Sequence, residues 1–279
     1  MITRFAPSPT GPLHLGHAYS ALFAFDLAQK AHGKFLLRIE DIDQSRARLE
    51  WEKLIYEDLT WLGIAWEPYV LRQSERMPAY RSALEKLASL DVLYNCTCNR
   101  RDILEAASAP QEGAPMIGPD GIVYPGKCRQ IPSAYEIDYA LPIRMNTAIA
   151  YDLVKGELAW QDSGTKTVTR PQFLEKIGDV VLSRQDLGTS YHLSVVVDDG
   201  EQGITDVVRG EDLAEATAIH VLLQSLLGLP TPNYHHHKLI RDENGKRLAK
   251  RDDARAISTF RDAGSSHNDI RRLVGLPGS

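Results

Sequence analysis

Residues 2–6, ITRFA, open the chain with a short apolar run that predicts a buried strand, and a Pro/Gly-rich turn follows it. From His17 to Lys30 the apolar positions Ala18, Ala21, Leu22, Phe25 and Ala28 recur at helical spacing, with Gly33 placed as a C-terminal cap. KFLLRIEDID then predicts a second strand, apolar through Ile39 and acidic at its exit. Strand, helix and strand in such close succession form a βαβ unit and imply a parallel sheet. Ligands of such sheets bind outside the carboxyl ends of the strands. The opening turn and Glu40, Asp41 and Asp43 are therefore expected along one rim.

Further along, the pattern predicts helices over 44–62 and 78–90, the second with Pro78 in its first turn. SAPQEGAPMIGPDG reads as a flexible Pro/Gly-rich loop, and YALPIRMN to GELAWQD as β structure in an insertion. DVVLSRQDLGTSYHLSVVVDD predicts strands that resume the parallel pattern, and EDLAEATAIHVLLQSLLG an amphipathic helix. From Pro230 the chain is polar and basic.

Composition narrows this little. The 279 residues are enough for one large domain or two ordinary ones, and 43% hydrophobic with 25% charged residues is ordinary for a globular protein. The apolar runs fall short of a membrane span and no secretory leader opens the chain, so a cytoplasmic protein without a membrane partner is expected. The net charge of −5 argues against a generic nucleic-acid binder. From Arg241 onward, however, nine Lys/Arg stand against six Asp/Glu, which makes that end the natural place for a polyanion. Three cysteines, all between residues 96 and 128, suggest a metal before disulfides.

Two segments carry candidate chemistry. FAPSPTGPLHLGHAYSAL sets His14 and His17 three apart where a turn enters a helix, a place that favours phosphate. Two solvated or capping histidines would look the same. ENGKRLAKRDD sets Lys246 and Lys250 four apart after an Asn-Gly turn. It fits either a solvated basic loop or a mobile clamp for a pyrophosphate leaving group. GIVYPGKC matches the P-loop spacing until Cys128 replaces the last Ser/Thr, and its Pro-rich surroundings lack the strand and helix such a loop needs.

HLGH followed far downstream by KRLAK resembles the paired signatures of class I aminoacyl-tRNA synthetases. RFAPSPTGPLHLGH, RIEDID, TSYHLSVVVDD, VVRGEDL and YHHHKLI are similar, in order, to the catalytic domain of glutamyl-tRNA synthetases. The resemblance covers nearly the whole chain, so the histidine run 235–237 reads as native sequence. It implies an α/β fold: a Rossmann-type parallel sheet in two halves (1–93 and 166–229), a zinc-binding insertion (94–165), and a lysine loop with a short helical stem (230–279). An anticodon-binding region has no counterpart, which resembles the glutamyl-queuosine tRNA(Asp) synthetases. These activate L-glutamate with ATP and attach it to queuosine in the anticodon of tRNA(Asp).

The resemblance also implies roles. Arg4, Ala6, Ser8, Tyr191 and Arg209 line the glutamate pocket, and Glu40 takes the α-ammonium. Without it, Arg209 reads as an ion pair to Glu211 or Asp212 and Tyr191 as a core residue. Gly11, His14, Gly16, His17 and Lys250 hold ATP, whose counter-ion is Mg2+. His14, His17, Lys246 and Lys250 are the catalytic set, and Ala249 stands where the family commonly has serine. Cys96, Cys98, Tyr124 and Cys128 hold a structural Zn2+, a set that spacing alone leaves undecided. The expected protein is a monomer that uses tRNA(Asp) carrying queuosine. A minimal synthetase charging the 3′ end of tRNA(Glu), or a non-catalytic sensor of glutamate or nucleotide, are the alternatives.

Overall fold

The opening pattern folds as expected. In the computed structural model, which describes residues 1–107, 116–129, 136–240 and 256–278, β1 (Ile2–Phe5), α1 (Leu15–Lys30) and β2 (Lys34–Ile39) follow one another. β1 and β2 pair in parallel, with Ile2 opposite Lys34 and Phe5 opposite Leu37. α2 (Leu49–Trp61) leads to β3 (Leu71–Arg72), which extends the sheet in parallel on β2. Ala18, Ala21, Ala24 and Ala28 are all buried along α1, so small side chains let that helix lie close on the sheet. The expected cap at Gly33 is corrected. His32, at φ 49°, takes the left-handed position, while a Cβ on Gly33 would meet the Met1 carbonyl oxygen at 2.1 Å.

The described chain divides into two compact units, Met1–Glu75 with Gly203–Asp212 and Pro232–Ser279, and Arg76–Gln202 with Leu213–Thr231. In chain order the second unit runs α3 (Met77–Ala88), β4 (Leu93–Asn95), α4 (Arg100–Ala107), β5 (Ile117–Gly118), β6 (Gly121–Ile122), β7 (Ile143–Met145), α5 (Thr147–Asp152), β8 (Leu158–Gln161), β9 (Thr165–Val168), α6 (Arg170–Lys176), β10 (Val181–Ser183) and α7 (Tyr191–Glu201). β11 (Asp206–Gly210) returns to the first unit, α8 (Thr217–Leu227) to the second, and β12 (Asn233–His237), α9 (Ile257–Asp262) and α10 (His267–Leu273) close the first.

Two expectations over 179–199 are overturned. β10 pairs antiparallel with β7, whose other edge is antiparallel to β4, so the parallel pattern does not resume there. HLSVVVDD is not a strand but α7. Ser190 starts it by accepting from the Leu193 N–H, and His192 to Asp199 are buried all round. A helix buried on every side loses the 3.6-residue alternation that identifies it. Its polar groups are answered inside the unit: Asp198 accepts from Tyr80 at 2.8 Å, and His192 Nδ1 lies 3.1 Å from His220 Nε2. α8 is likewise buried over most of its surface and stops at Gly228, which is left-handed at φ 67°.

The first unit gains a second parallel pair that the pattern did not single out, β11 with β12, from Asp206 opposite Asn233 to Gly210 opposite His237. The Thr205 N–H donates to the Ile2 carbonyl at 3.0 Å, which ties the start of β11 to β1. The core of this unit joins Phe5, Leu13, Leu22, Leu37, Ile39 and Val208 to Ile257 and Ile270 from the last two helices. Arg271 on α10 grips Asp26 on α1 through both terminal nitrogens at 2.7 and 2.8 Å.

Candidate active site and metal centre

The turn after β1 delivers His14 as the N-cap of α1. Its Nδ1 accepts from the Gly16 N–H at 3.1 Å, and the His14 N–H donates to His17 Nδ1 at 3.2 Å. Both imidazoles thus use Nδ1 as an acceptor. A neutral ring that accepts at Nδ1 carries its proton on Nε2. The helix start therefore fixes two adjacent rings, 3.8 Å between centroids and tilted by 31°, as Nε2–H donors beside the positive end of α1. Gly16 gives the same device room: a Cβ there would lie 3.1 Å from the His14 ring, which would have to shift by a few tenths of an ångström.

Around this turn the first unit gathers most of the other expected residues. Gly11 is buried, Ala6 is half-buried and Ser8 is exposed. The Glu40 N–H donates to the Pro7 carbonyl at 3.0 Å, so the acidic exit of β2 runs along the opening turn as the strand rule required. Arg38, wholly buried, donates through Nη2 to Glu40 Oε1 at 3.2 Å. Asp41 instead accepts from the backbone and hydroxyl of Ser74, a structural task. Arg4 on β1 and Arg209 on β11 are both buried, and Arg4 Nη1 donates to the Val208 carbonyl. Tyr191 belongs to the second unit, where it opens α7 against the His192 and His220 rings.

Lys246, Ala249 and Lys250 lie outside the described residues. The chain on either side of them is placed. β12 and Ile240 lead in, and Ala256 bridges His14 across an isolated antiparallel pair, with the Ile257 N–H donating to the Leu13 carbonyl at 2.9 Å. Lys250 is therefore six residues from a backbone contact with the histidine turn.

In the second unit the three cysteines meet. The turn from β4 into α4 carries Cys96 and Cys98, and it is set by reciprocal capping between Asn99 and Asp102 at 2.9 and 3.0 Å. The GIVYPGKC segment is a β hairpin strand and turn, not a phosphate loop, and it delivers Tyr124 and Cys128. The three Sγ atoms lie within 4.8 Å of one another. Tyr124 Oη is 3.4 Å from both Cys96 Sγ and Cys98 Sγ, and Cys98 Sγ is 3.4 Å from Cys128 Sγ. Tetrahedral zinc with bonds of about 2.3 Å to sulfur needs donors about 3.8 Å apart, so these residues fit the ion. Burial pushes the Cys128 thiol up, but hydrogen bonds from Tyr124 and Cys98 outweigh it and bring its pKa down to about 7. Arg144 donates through Nε to Cys96 Sγ at 3.3 Å, and its guanidinium lies over the Tyr124 ring.

Three contributors escaped the sequence reading. Arg144 and Arg38 are conventional strand residues until their partners are known. The histidine run is the third: His235 Nε2 is 2.9 Å from Asp206 Oδ1, Arg209 Nε donates to His236 Nε2 at 3.1 Å, and His237 Nε2 is 2.7 Å from Ser20 Oγ. The signal was present, since alternate residues of a strand must face opposite ways.

Known proteins resemble the chain over its whole length. The family model for the catalytic domain of class I tRNA synthetases (E and Q) matches residues 1–278. A glutamyl-Q tRNA(Asp) synthetase of Rhodobacter capsulatus is 59% identical over 99% of this chain and 100% of its own length. A glutamate–tRNA ligase of Aquifex aeolicus is 36% identical over 94% of this chain, which spans 54% of that protein. The crystal structure of a glutamate tRNA ligase from Elizabethkingia meningosepticum in complex with its amino acid superposes with a TM-score of 0.72 at 30% identity, over 91% of this chain and 52% of that one.

Proposed function

Because the chain belongs to the family of class I tRNA synthetase catalytic domains for E and Q, we propose that it activates L-glutamate with ATP and transfers the glutamyl group to queuosine in the anticodon of tRNA(Asp). The observation that carries the first step is the pair of Nε2–H donors at the start of α1, fixed in tautomer by the helix cap itself. The second step rests on the whole-length similarity to the glutamyl-Q relative.

In this reading the α-carboxylate of glutamate attacks the α-phosphorus of ATP, giving glutamyl-adenylate and pyrophosphate. His14 and His17 donate to phosphate oxygens as charge moves onto them, and a donor aimed in advance is worth roughly 3 kcal/mol in such a transition state. Gly11 and Gly16 shape the nucleotide side of the turn. Arg4, Arg209, Ala6 and Ser8 serve the glutamate side, with a buried guanidinium to match the side-chain carboxylate. Glu40 receives the α-ammonium, its carboxylate steadied by Arg38. Lys246 and Lys250 follow the departing pyrophosphate, and Ala256 and Ile257 anchor their segment to the histidine turn. Magnesium bound with ATP supplies counter-charge. Zinc held by Cys96, Cys98, Cys128 and Tyr124 orders the second unit's hairpin and needs no part in the chemistry.

Radiolabelled glutamate, ATP and tRNA(Asp) with and without queuosine test the proposal. Label on tRNA(Asp) only when queuosine is present is the expected result. Label on the 3′ adenosine of tRNA(Glu) would replace the second step with ordinary charging, and absence of glutamate-dependent ATP–pyrophosphate exchange would remove the first.

A further inference from the structure

We infer that His236 is a positioning residue for glutamate recognition, acting through Arg209. The inference rests on the reading of Arg209 as a glutamate-binding residue. β11 and β12 are parallel, and Arg209 lies directly opposite His236 in their register. Paired residues of neighbouring strands project to the same face of the sheet. On that face Arg209 Nε donates to His236 Nε2 at 3.1 Å. Tyr234, two residues earlier on β12, completes the clamp. Its ring lies 5.0 Å from the Arg209 guanidinium carbon and parallel to the His236 ring, 1° between planes. Tyr234 and Arg209 are both buried.

Two chemical consequences follow. His236 must present the lone pair of Nε2, so its neutral form carries the proton on Nδ1. Arg209, with Nε directed at His236, is turned so that a carboxylate meets its guanidinium end-on, through Nη1 and Nη2, rather than side-on through Nε. The Tyr234 ring packs against that guanidinium. A five-carbon dicarboxylic amino acid and its shorter homologue differ in where their side-chain carboxylate ends, so a fork held in position discriminates between them. His236 touches no substrate in this scheme. It acts by holding the side chain that does.

The substitutions His236→Leu and His236→Gln separate the roles. Leu fills the site without an acceptor, whereas the Gln side-chain carbonyl can accept from Arg209 Nε. The assay is ATP–pyrophosphate exchange, with KM measured separately for glutamate and for ATP, and with aspartate as a competing substrate. His236→Leu is expected to raise KM for glutamate about tenfold or more, leave KM for ATP within twofold, and narrow the preference for glutamate over aspartate, with His236→Gln restoring most of the loss. Glutamate binding measured calorimetrically gives the same comparison if turnover is too slow to follow. An unchanged KM for glutamate in His236→Leu overturns the inference, as does an equal rise in both KM values or an absence of rescue by Gln. Arg209→Gln is the control for the underlying reading. If it too leaves glutamate KM unchanged, the reading of Arg209 has failed. If it raises that KM while His236→Leu does not, only the role of His236 has failed.

Discussion

Asp179 sits at the centre of the second unit's polar core, and its replacement has a magnitude that can be worked from its bonds. Its side chain accepts from Tyr94 Oη at 2.5 Å, Arg129 Nε at 2.8 Å, and Thr147 N and Oγ1 at 3.0 and 2.9 Å. Asp179 and Thr147 are buried, as is Tyr94, whose own titration burial and the Asp179 charge push up. Asp179→Ala leaves the Thr147 N–H and the Tyr94 hydroxyl without their acceptor, at about 1–3 kcal/mol each. Arg129 is 36% exposed and can turn to water, so its ion pair adds at most about 1 kcal/mol. The expected loss is about 4 kcal/mol, which at about 2–4 °C per kcal/mol lowers the melting temperature by roughly 10 °C. Asp179→Asn keeps one oxygen for Thr147. Its amide faces the Arg129 Nε–H donor to donor, while the Tyr94 hydroxyl can rotate to accept, so the loss is expected to be about 1–2 kcal/mol. Urea unfolding and thermal melts of the three proteins measure both. Equal losses for Ala and Asn would contradict the partial rescue expected from the oxygen that Asn keeps and would place the whole effect on the carboxylate charge rather than on filled volume, and a loss below 1 kcal/mol for Ala would refute the reasoning outright.

Elemental analysis of the purified protein is expected to find one zinc per chain, with Cys128→Ser losing the metal; full occupancy in that variant would remove Cys128 from the ligand set. Lys250→Ala is expected to abolish most ATP–pyrophosphate exchange while leaving the melting temperature unchanged, and exchange at the wild-type rate would sink the lysine's assigned role. Burial raises the Asp58 carboxyl to about 6, despite the opposing attraction of Arg261 at 2.9 Å. The folded state then binds the extra proton between about pH 4 and pH 6, so this group's contribution to stability is present below pH 4 and is lost as pH rises through 6, by a few kcal/mol in order of magnitude. Denaturant melts across that window should show the decline in the wild type and a flatter profile in Asp58→Asn; parallel profiles would contradict the assignment.

The sequence pattern reached the elements whose apolar runs are clear and closely spaced along the chain. α1 could be placed because its buried positions recur at helical spacing and β2 because its apolar run ends at an acidic exit, and the βαβ unit alone located the rim that carries His14 and Glu40. α7 was hidden because it is buried on every face, leaving a valine-rich run with the outward look of a strand. Only Ser190, which supplies its cap, marked a helix start. β11 and β12 were hidden for the opposite reason: Asn233–His237 is short and almost wholly polar, and its place depends on partners elsewhere in the chain. The cysteines illustrate an intermediate case. Their clustering was visible, but whether Tyr124 stood with them depended on a hairpin that no spacing rule specifies. The pairing of Arg209 with His236 follows from strand register, which periodicity does not determine.

The histidines of the first unit share one physical logic. An imidazole aimed at a phosphate or holding a guanidinium is useful only if the intended nitrogen bears, or lacks, the proton. At His14 and His17 backbone N–H groups occupy Nδ1 and so place the proton on Nε2. At His236 the Arg209 donor occupies Nε2 and places it on Nδ1. At His237 Nδ1 faces the Lys238 carbonyl at 3.0 Å, which requires a proton there, while Nε2 meets the Ser20 hydroxyl, and burial lowers the ring's pKa and keeps it neutral. Ser20 also reaches the Gly16 carbonyl at 3.2 Å, so His237 is joined to the first turn of the same helix that His14 caps. The helix start is thus both a structural cap and a device for selecting tautomers. The two tasks cannot be separated, because an imidazolium at position 14 or 17 has no Nδ1 lone pair to offer the backbone. Protonating either ring would weaken the start of α1 at the same time as it altered the donors presented to ATP.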